Sequence, residues 1–236
     1  MPGTRREEEM FERGETAKAV FPDNYGWLER RLKKKEMDYL WDCIDQREES
    51  FKRNLAGQID SSYSIPDPNN WFFNNVLKQL IHDYQQVFTN SISYGVPTSG
   101  SHPLFMSTFW VNYQKQHEYQ PPHYHTGVYS FVIWMKIPTS FEDQRWMSNS
   151  KDAKAQFNSA FEFQYLDIMG HRKSKIYPLD PSYEGYMLFF PSLLTHAVYP
   201  FYDCEEERIS ISGNLLLNSS IDNKGINMIP TLNPNR

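Results

Sequence analysis

The sequence is short of cysteine, of positive charge and of long apolar runs. Cys43 and Cys204 are the two cysteines in 236 residues. Two such residues make no disulfide framework; they can pair, but a pair of reduced thiols in a cytosolic protein is the plainer reading. Lys and Arg number 24 against 29 Asp and Glu, a formal net charge of −5. That balance argues against a nucleic-acid or anionic-membrane binder, which needs a basic surface. The longest apolar stretches, residues 131–135 and 186–190, are far shorter than the ~20 residues of a spanning helix. The first 18 residues are rich in Arg and Glu with no apolar centre, unlike a secretory signal. A soluble, cytoplasmic protein with no membrane partner is expected.

What the chain has in quantity is aromatic residues, 16% of the total, which excludes a disordered chain and suits a β-rich core. Its length fits a single domain. Residues 1–19 read as a mobile charged arm, and residues 20–236 as the domain. Within it, residues 20–95 read as helical. Met37, Leu40, Trp41 and Ile44 form one apolar stripe, and Val76, Leu80, Tyr84 and Val87 a second, with Asn70 as candidate cap. From about residue 100 the period changes from 3.6 to 2. Five strands are expected near 105–113, 130–137, 161–167, 184–190 and 208–217. Residues 139–160 look polar, with a possible short helix at 151–158 near the entrance of the fold. Residues 218–236 read as a surface tail. Helices followed by strands give a mainly β, α+β fold with a jelly-roll core at about 100–217.

Three sequence features carry chemistry. His123-Tyr124-His125 is an H-x-H pair; on a strand, both imidazoles share a face and can share a metal. His196 follows a strand end and the Pro191 turn. In Arg208-Ile209-Ser210-Ile211-Ser212, alternation puts the cation and two hydroxyls on one face. Such a group is costly to bury unless it meets an anion. Each feature alone has a bland reading, as a surface histidine pair, a satisfied core histidine or an internal ion pair with Glu206 or Asp203.

Their order and context resemble the 2-oxoglutarate/Fe(II)-dependent oxygenases. The resemblance runs from Trp110-Val111-Asn112 through the H-x-H pair and Gly185-Tyr186-Met187-Leu188-Phe189-Phe190-Pro191-Ser192. It continues with His196-Ala197-Val198 and ends on Arg208-Ile209-Ser210-Ile211-Ser212-Gly213-Asn214. It implies a double-stranded β-helix holding Fe(II), with 2-oxoglutarate as cosubstrate and dioxygen as co-reactant. It further implies hydroxylation of an acceptor, with release of succinate and carbon dioxide. His123 and His196 match the family's ligand histidines. At the middle ligand position this chain carries His125 where the family carries Asp or Glu. Three readings stand: an all-histidine site, a third ligand from water or from a carboxylate such as Glu118, or a site altered in activity. The first is preferred. By the same resemblance, Arg208 grips the distal carboxylate of 2-oxoglutarate and Ser210 assists. Either Tyr113 or Asn112 faces the pocket, and Tyr129 is within reach of it. The acceptor implied, by analogy alone, is a peptidyl side chain. The competing reading is a metal-binding, cupin-like jelly-roll module without oxygenase activity, because fold does not dictate function.

Overall fold

The computed structural model describes residues 24–88 and 103–218. The expected charged arm and nearly all of the expected tail lie outside the described residues.

Among the described residues, ten strands form two antiparallel sheets. The larger sheet is ordered β1 (Leu28–Arg31), β8 (Tyr186–Pro191), β5 (Tyr129–Lys136), β10 (Arg208–Leu217), β3 (Leu104–Gln114), β2 (Ser61–Ser64). The smaller is ordered β4 (Gln120–His123), β9 (Thr195–Val198), β6 (Ala160–Leu166), β7 (Arg172–Pro178). The double-stranded β-helix expectation is met. All five expected strands are present. The five that sequence periodicity missed are short, proline-bearing or largely exposed: β1, β2, β4, β7 and β9. In β4, Pro121 and Pro122 hide the strand signal, and the register with β9 shifts between Gln120 and His123; proline is confined to such edge positions and irregularities.

Helix α1 (Lys34–Asp45) carries the first stripe, with Leu40 and Ile44 buried. The segment before it is a strand and not part of the helix: Leu28–Arg31 alternates in burial and pairs with β8. The second helical segment begins with a π turn, Phe73–Leu77, and continues as α2 (Lys78–Val87). Val76, Leu80 and Tyr84 are buried as expected, but Val87 is exposed. Its start is capped by Asp67 and not by Asn70. The Asp67 carboxylate accepts the backbone N–H of Phe72 at 2.8 Å and of Phe73 at 3.0 Å. Asn70 itself has a positive φ of 51°, so it lies in the turn. The short helix in the 139–160 region is α3 (Phe141–Arg145), earlier than expected; residues 151–158 are turns.

The larger sheet separates two apolar layers. One face carries Phe109, Val111, Phe131, Ile133, Met187, Phe189 and Ile211 against both helices. The opposite face carries Val132, Trp134, Leu188 and Phe190 against Phe161 and Phe163 of the smaller sheet. Strand period decides which side chains reach the space between the sheets.

Candidate metal centre

His123 ends β4, His196 lies in β9, and the two are directly paired across the strands. His125 follows two residues after His123, in a loop docked to the β8–β9 turn. Its N–H donates to the Ser192 carbonyl at 2.8 Å, and the Ser192 N–H donates to the Val128 carbonyl at 3.1 Å. The end of the larger sheet behind this loop is tied by polar side chains. Ser130 Oγ lies 2.9 Å from Ser192 Oγ and 2.7 Å from Asn214 Oδ1, and Asn214 Nδ2 donates to Thr108 Oγ1 at 3.0 Å. Gly127, with φ 119°, passes so close that a Cβ there would stand 2.8 Å from the Leu215 carbonyl oxygen.

The three imidazoles converge. One ring nitrogen of each lies within 4.8 Å of the others, and the ring centroids are 4.3 to 5.1 Å apart. Backbone carbonyls set two of the tautomers. His123 Nδ1 lies 2.7 Å from the Pro121 carbonyl oxygen and His196 Nδ1 lies 2.9 Å from that of Leu194. Each Nδ1 therefore carries the proton and donates, which leaves the Nε2 lone pair free for a metal. Burial lowers the pKa of all three. His125 falls to about 4, through burial first and His123 second. His196 falls further, through burial and then its two histidine neighbours. His123 is lowered by burial, with its backbone hydrogen bond acting against the shift. Neutral imidazole is the ligating form, and three clustered donors of this kind suit iron or another first-row metal. The residues fit a metal ion.

Beyond the histidines, a cavity runs between the sheets toward Arg208. Strand β3 contributes Trp110 and Asn112, and strand β10 contributes Arg208, Ser210 and Ser212. Their register is Trp110 with Ser212, Asn112 with Ser210 and Gln114 with Arg208. No Asp or Glu is among the described residues lining this space. Arg208 is 2% exposed, and burial lowers its pKa to about 9. It has five donors, and all have neutral partners. Gln114 Oε1 accepts from Nε at 3.1 Å and Nη2 at 2.7 Å. The Tyr199 carbonyl also accepts from Nη2, at 2.7 Å. Ser159 accepts Nη1 through its carbonyl at 3.1 Å and its hydroxyl at 3.3 Å. Gln114 is held in place by its own amide, which donates to the Glu118 carbonyl at 2.7 Å.

The structure thus brings together His123, His125 and His196, and it places Arg208, Ser210 and Asn112 along the adjoining cavity. It does not bring Tyr113 or Tyr129 there. Both lie on the opposite face of the larger sheet, because odd-numbered residues of β3 and β5 face the helices. Tyr113 packs near Tyr63 and Arg47, and Tyr129 packs against Tyr84 and Phe189. Glu118 is no third ligand: its carboxylate accepts the N–H of Asp60 and of Lys115 at the surface. Gln114 and Trp110 had no role assigned from sequence. The signal was present, since they extend the alternation of Asn112 by one step at each end.

Residues 108–214 match the family model described as "Putative 2OG-Fe(II) oxygenase". This part of the chain is similar to the 2-oxoglutarate/Fe(II) oxygenases. That family description names iron and 2-oxoglutarate, which agrees with a site made of clustered histidines beside a buried arginine. No curated protein matches the chain. Among solved structures, a prolyl-4-hydroxylase from Pseudomonas putida is 12% identical, with 83% of this chain and 94% of that chain covered and a TM-score of 0.45. A 2OG-Fe(II) oxygenase family oxidoreductase from Burkholderia pseudomallei is 10% identical, covering 81% and 84%, with a TM-score of 0.47. HygX from Streptomyces hygroscopicus, solved with nickel, 2-oxoglutarate and hygromycin B, is 9% identical, covering 92% and 88%, with a TM-score of 0.46. The acceptor of each belongs to that protein. Among the described residues, no helix is long and apolar enough to cross a membrane.

Proposed function

We propose that this chain is an iron- and 2-oxoglutarate-dependent hydroxylase whose iron is held by His123, His125 and His196, with 2-oxoglutarate lying between that centre and Arg208. One observation carries the reading: three neutral imidazoles and a fully buried guanidinium share a cavity whose described lining has no carboxylate. A divalent ion beside an uncompensated cation calls for an anionic guest, since a buried charge is tolerated when it is paired. When bound, the metal supplies the oxidising chemistry, in which 2-oxoglutarate and dioxygen yield succinate, carbon dioxide and a hydroxylated acceptor. The chain supplies the rest. Pro121 and Leu194 carbonyls orient two ligands, and the Ser192 carbonyl fixes the loop bearing the third. Phe161, Phe190 and Trp134 keep the adjoining wall apolar and dry.

Gln114 Oε1 occupies the Nε–Nη2 edge of Arg208, the edge that suits a carboxylate. The free space in the cavity is about 30 Å³, room for a few small atoms. A five-carbon dicarboxylate entering here displaces wall side chains, and Gln114 is the one whose hydrogen bonds it replaces. For the acceptor, a peptidyl side chain is the class we favour. Tyr124 and Leu193, 64% and 56% exposed, neighbour His123, His125 and Ser192 in the chain and offer apolar surface beside the site.

Purified protein with Fe(II), ascorbate and 2-oxoglutarate is expected to release succinate slowly alone and faster with a peptide acceptor. Arg208→Met is expected to raise the 2-oxoglutarate requirement by a factor of about 100 or more, from the loss of a charge-assisted pair. Absence of succinate under all conditions would sink the proposal. A second reading, a metal-binding jelly roll without turnover, draws support from the missing carboxylate ligand and from the saturated donors of Arg208. It requires metal binding that 2-oxoglutarate does not influence.

A further inference from the structure

Among the described residues, two buried side-chain polar atoms have no hydrogen-bond partner in the chain: Trp110 Nε1 and Ser150 Oγ. Trp110 lines the histidine cavity and Ser150 does not. An indole N–H can only donate, and leaving such a group buried and unsatisfied is unfavourable. Trp110 is 3% exposed, so bulk solvent does not resolve the deficit. Nor is its ring free to turn. Phe51 stacks on it at 4.7 Å and 14°, and the His125 ring meets it edge-on at 5.9 Å. Its backbone is locked between Ser212 and Ser64 in the sheet.

The cation of the cavity is already committed. Arg208 spends its five N–H groups on Gln114, Ser159 and Tyr199. Trp110 is left with a rigid donor for an acceptor atom that comes from outside the chain. Its place in the cavity says which part of a guest it meets. It sits beside His125 and in register with Ser212. Gln114, the partner of Arg208, stands four residues further along β3, roughly 13 Å away at ~3.3 Å per residue.

We propose that Trp110 Nε1–H donates a hydrogen bond to a carboxylate oxygen at the 2-oxo acid end of 2-oxoglutarate. The assignment rests on reading the cavity as the cosubstrate site. Its chemistry is that of a donor with no competing acid nearby: an anionic oxygen is the acceptor that gains most from such an N–H.

The test compares wild type with Trp110→Phe, which keeps a ring for the Phe51 stack and removes the donor. Both are loaded anaerobically with Mn(II), and calorimetry gives the affinities for 2-oxoglutarate and for pyruvate, which shares only the 2-oxo acid end. We expect Trp110→Phe to bind both acids about tenfold more weakly, with Mn(II) affinity unchanged. We also expect the Trp110 indole N–H resonance of the Zn(II)-loaded wild type to move downfield on adding 2-oxoglutarate. Its assignment through the backbone makes that readout independent of whether the variant folds. Equal affinities and an unmoved resonance overturn the assignment and leave a buried water as the partner. Weakening of 2-oxoglutarate alone also overturns it, by placing the donor at the other end. If metal-loaded wild type binds neither acid, the cosubstrate site itself fails, and this assignment goes with it.

Discussion

At the residue scale, His125 decides whether the centre is an all-histidine site. Its ring centroid lies 5.1 Å from that of His123 and 5.0 Å from that of His196, against 4.3 Å between those two, and burial keeps it neutral. If it ligates, His125→Asp restores a carboxylate ligand and retains the metal, whereas His125→Phe loses it by a factor of about 100 or more. Metal affinity by competition with a chromophoric chelator reads both; equal, wild-type affinity in the Phe variant would remove His125 from the ligand set. Gln114 offers a second test. Gln114→Glu places a resident carboxylate against Arg208 with almost no change in shape. It neutralises the buried cation before the cosubstrate arrives, so the 2-oxoglutarate concentration for half-saturation is expected to rise about tenfold or more, with metal binding unchanged. A variant that bound 2-oxoglutarate like wild type would show that the Gln114 edge of Arg208 is not where the carboxylate goes.

At the element scale, β3 and β10 carry the site because their alternation is unbroken from residue 108 to residue 114 and from residue 208 to residue 214. That much was legible in the sequence: Arg208, Ser210 and Ser212 share a face by counting, and the same count set Tyr113 apart from Asn112. What counting could not say is which face meets the second sheet. Resemblance leaves Tyr113 open as the alternative to Asn112 and Tyr129 within reach of the pocket, but the helices α1 and α2 claim the face of the sheet that bears both tyrosines. The short strands escaped for a different reason. Four-residue segments such as β2 and β9, or the proline-bearing β4, are stabilised by tertiary pairing more than by their own propensity. Two local claims can be checked by denaturant unfolding. Asp67→Ala removes the acceptor for two N–H groups at the start of the π turn and is expected to cost about 1–2 kcal/mol. Gly213→Ala sets a Cβ 2.5 Å from the Phe131 ring and 2.8 Å from the Thr108 carbonyl oxygen; overpacking of that kind costs about 1–3 kcal/mol. Wild-type midpoints in either would contradict the packing described.

At the scale of the whole molecule, two sheets enclose a site that neither completes alone. The smaller sheet brings His123 and His196, the larger brings Arg208, Ser210 and Trp110, and the loop across their end brings His125. The sequence displayed each part in order, but their convergence depends on pairings distant in the chain, such as β4 with β9 and β3 with β10. A guest that touches both sheets stabilises the fold as a unit. Metal-loaded protein at 2-oxoglutarate a hundredfold above its dissociation constant should gain about 2.7 kcal/mol, a rise in Tm of roughly 5–10 °C for a chain of this size. The most direct test of the central claim is an anaerobic titration of the metal-free protein with Fe(II) and then 2-oxoglutarate, followed by visible absorption. The account expects a weak charge-transfer band that needs both additions, is lost in His196→Ala, and requires far more 2-oxoglutarate in Arg208→Met. Tight Zn(II) binding with no band at any 2-oxoglutarate concentration would contradict it, and would leave a metal-binding jelly roll in its place.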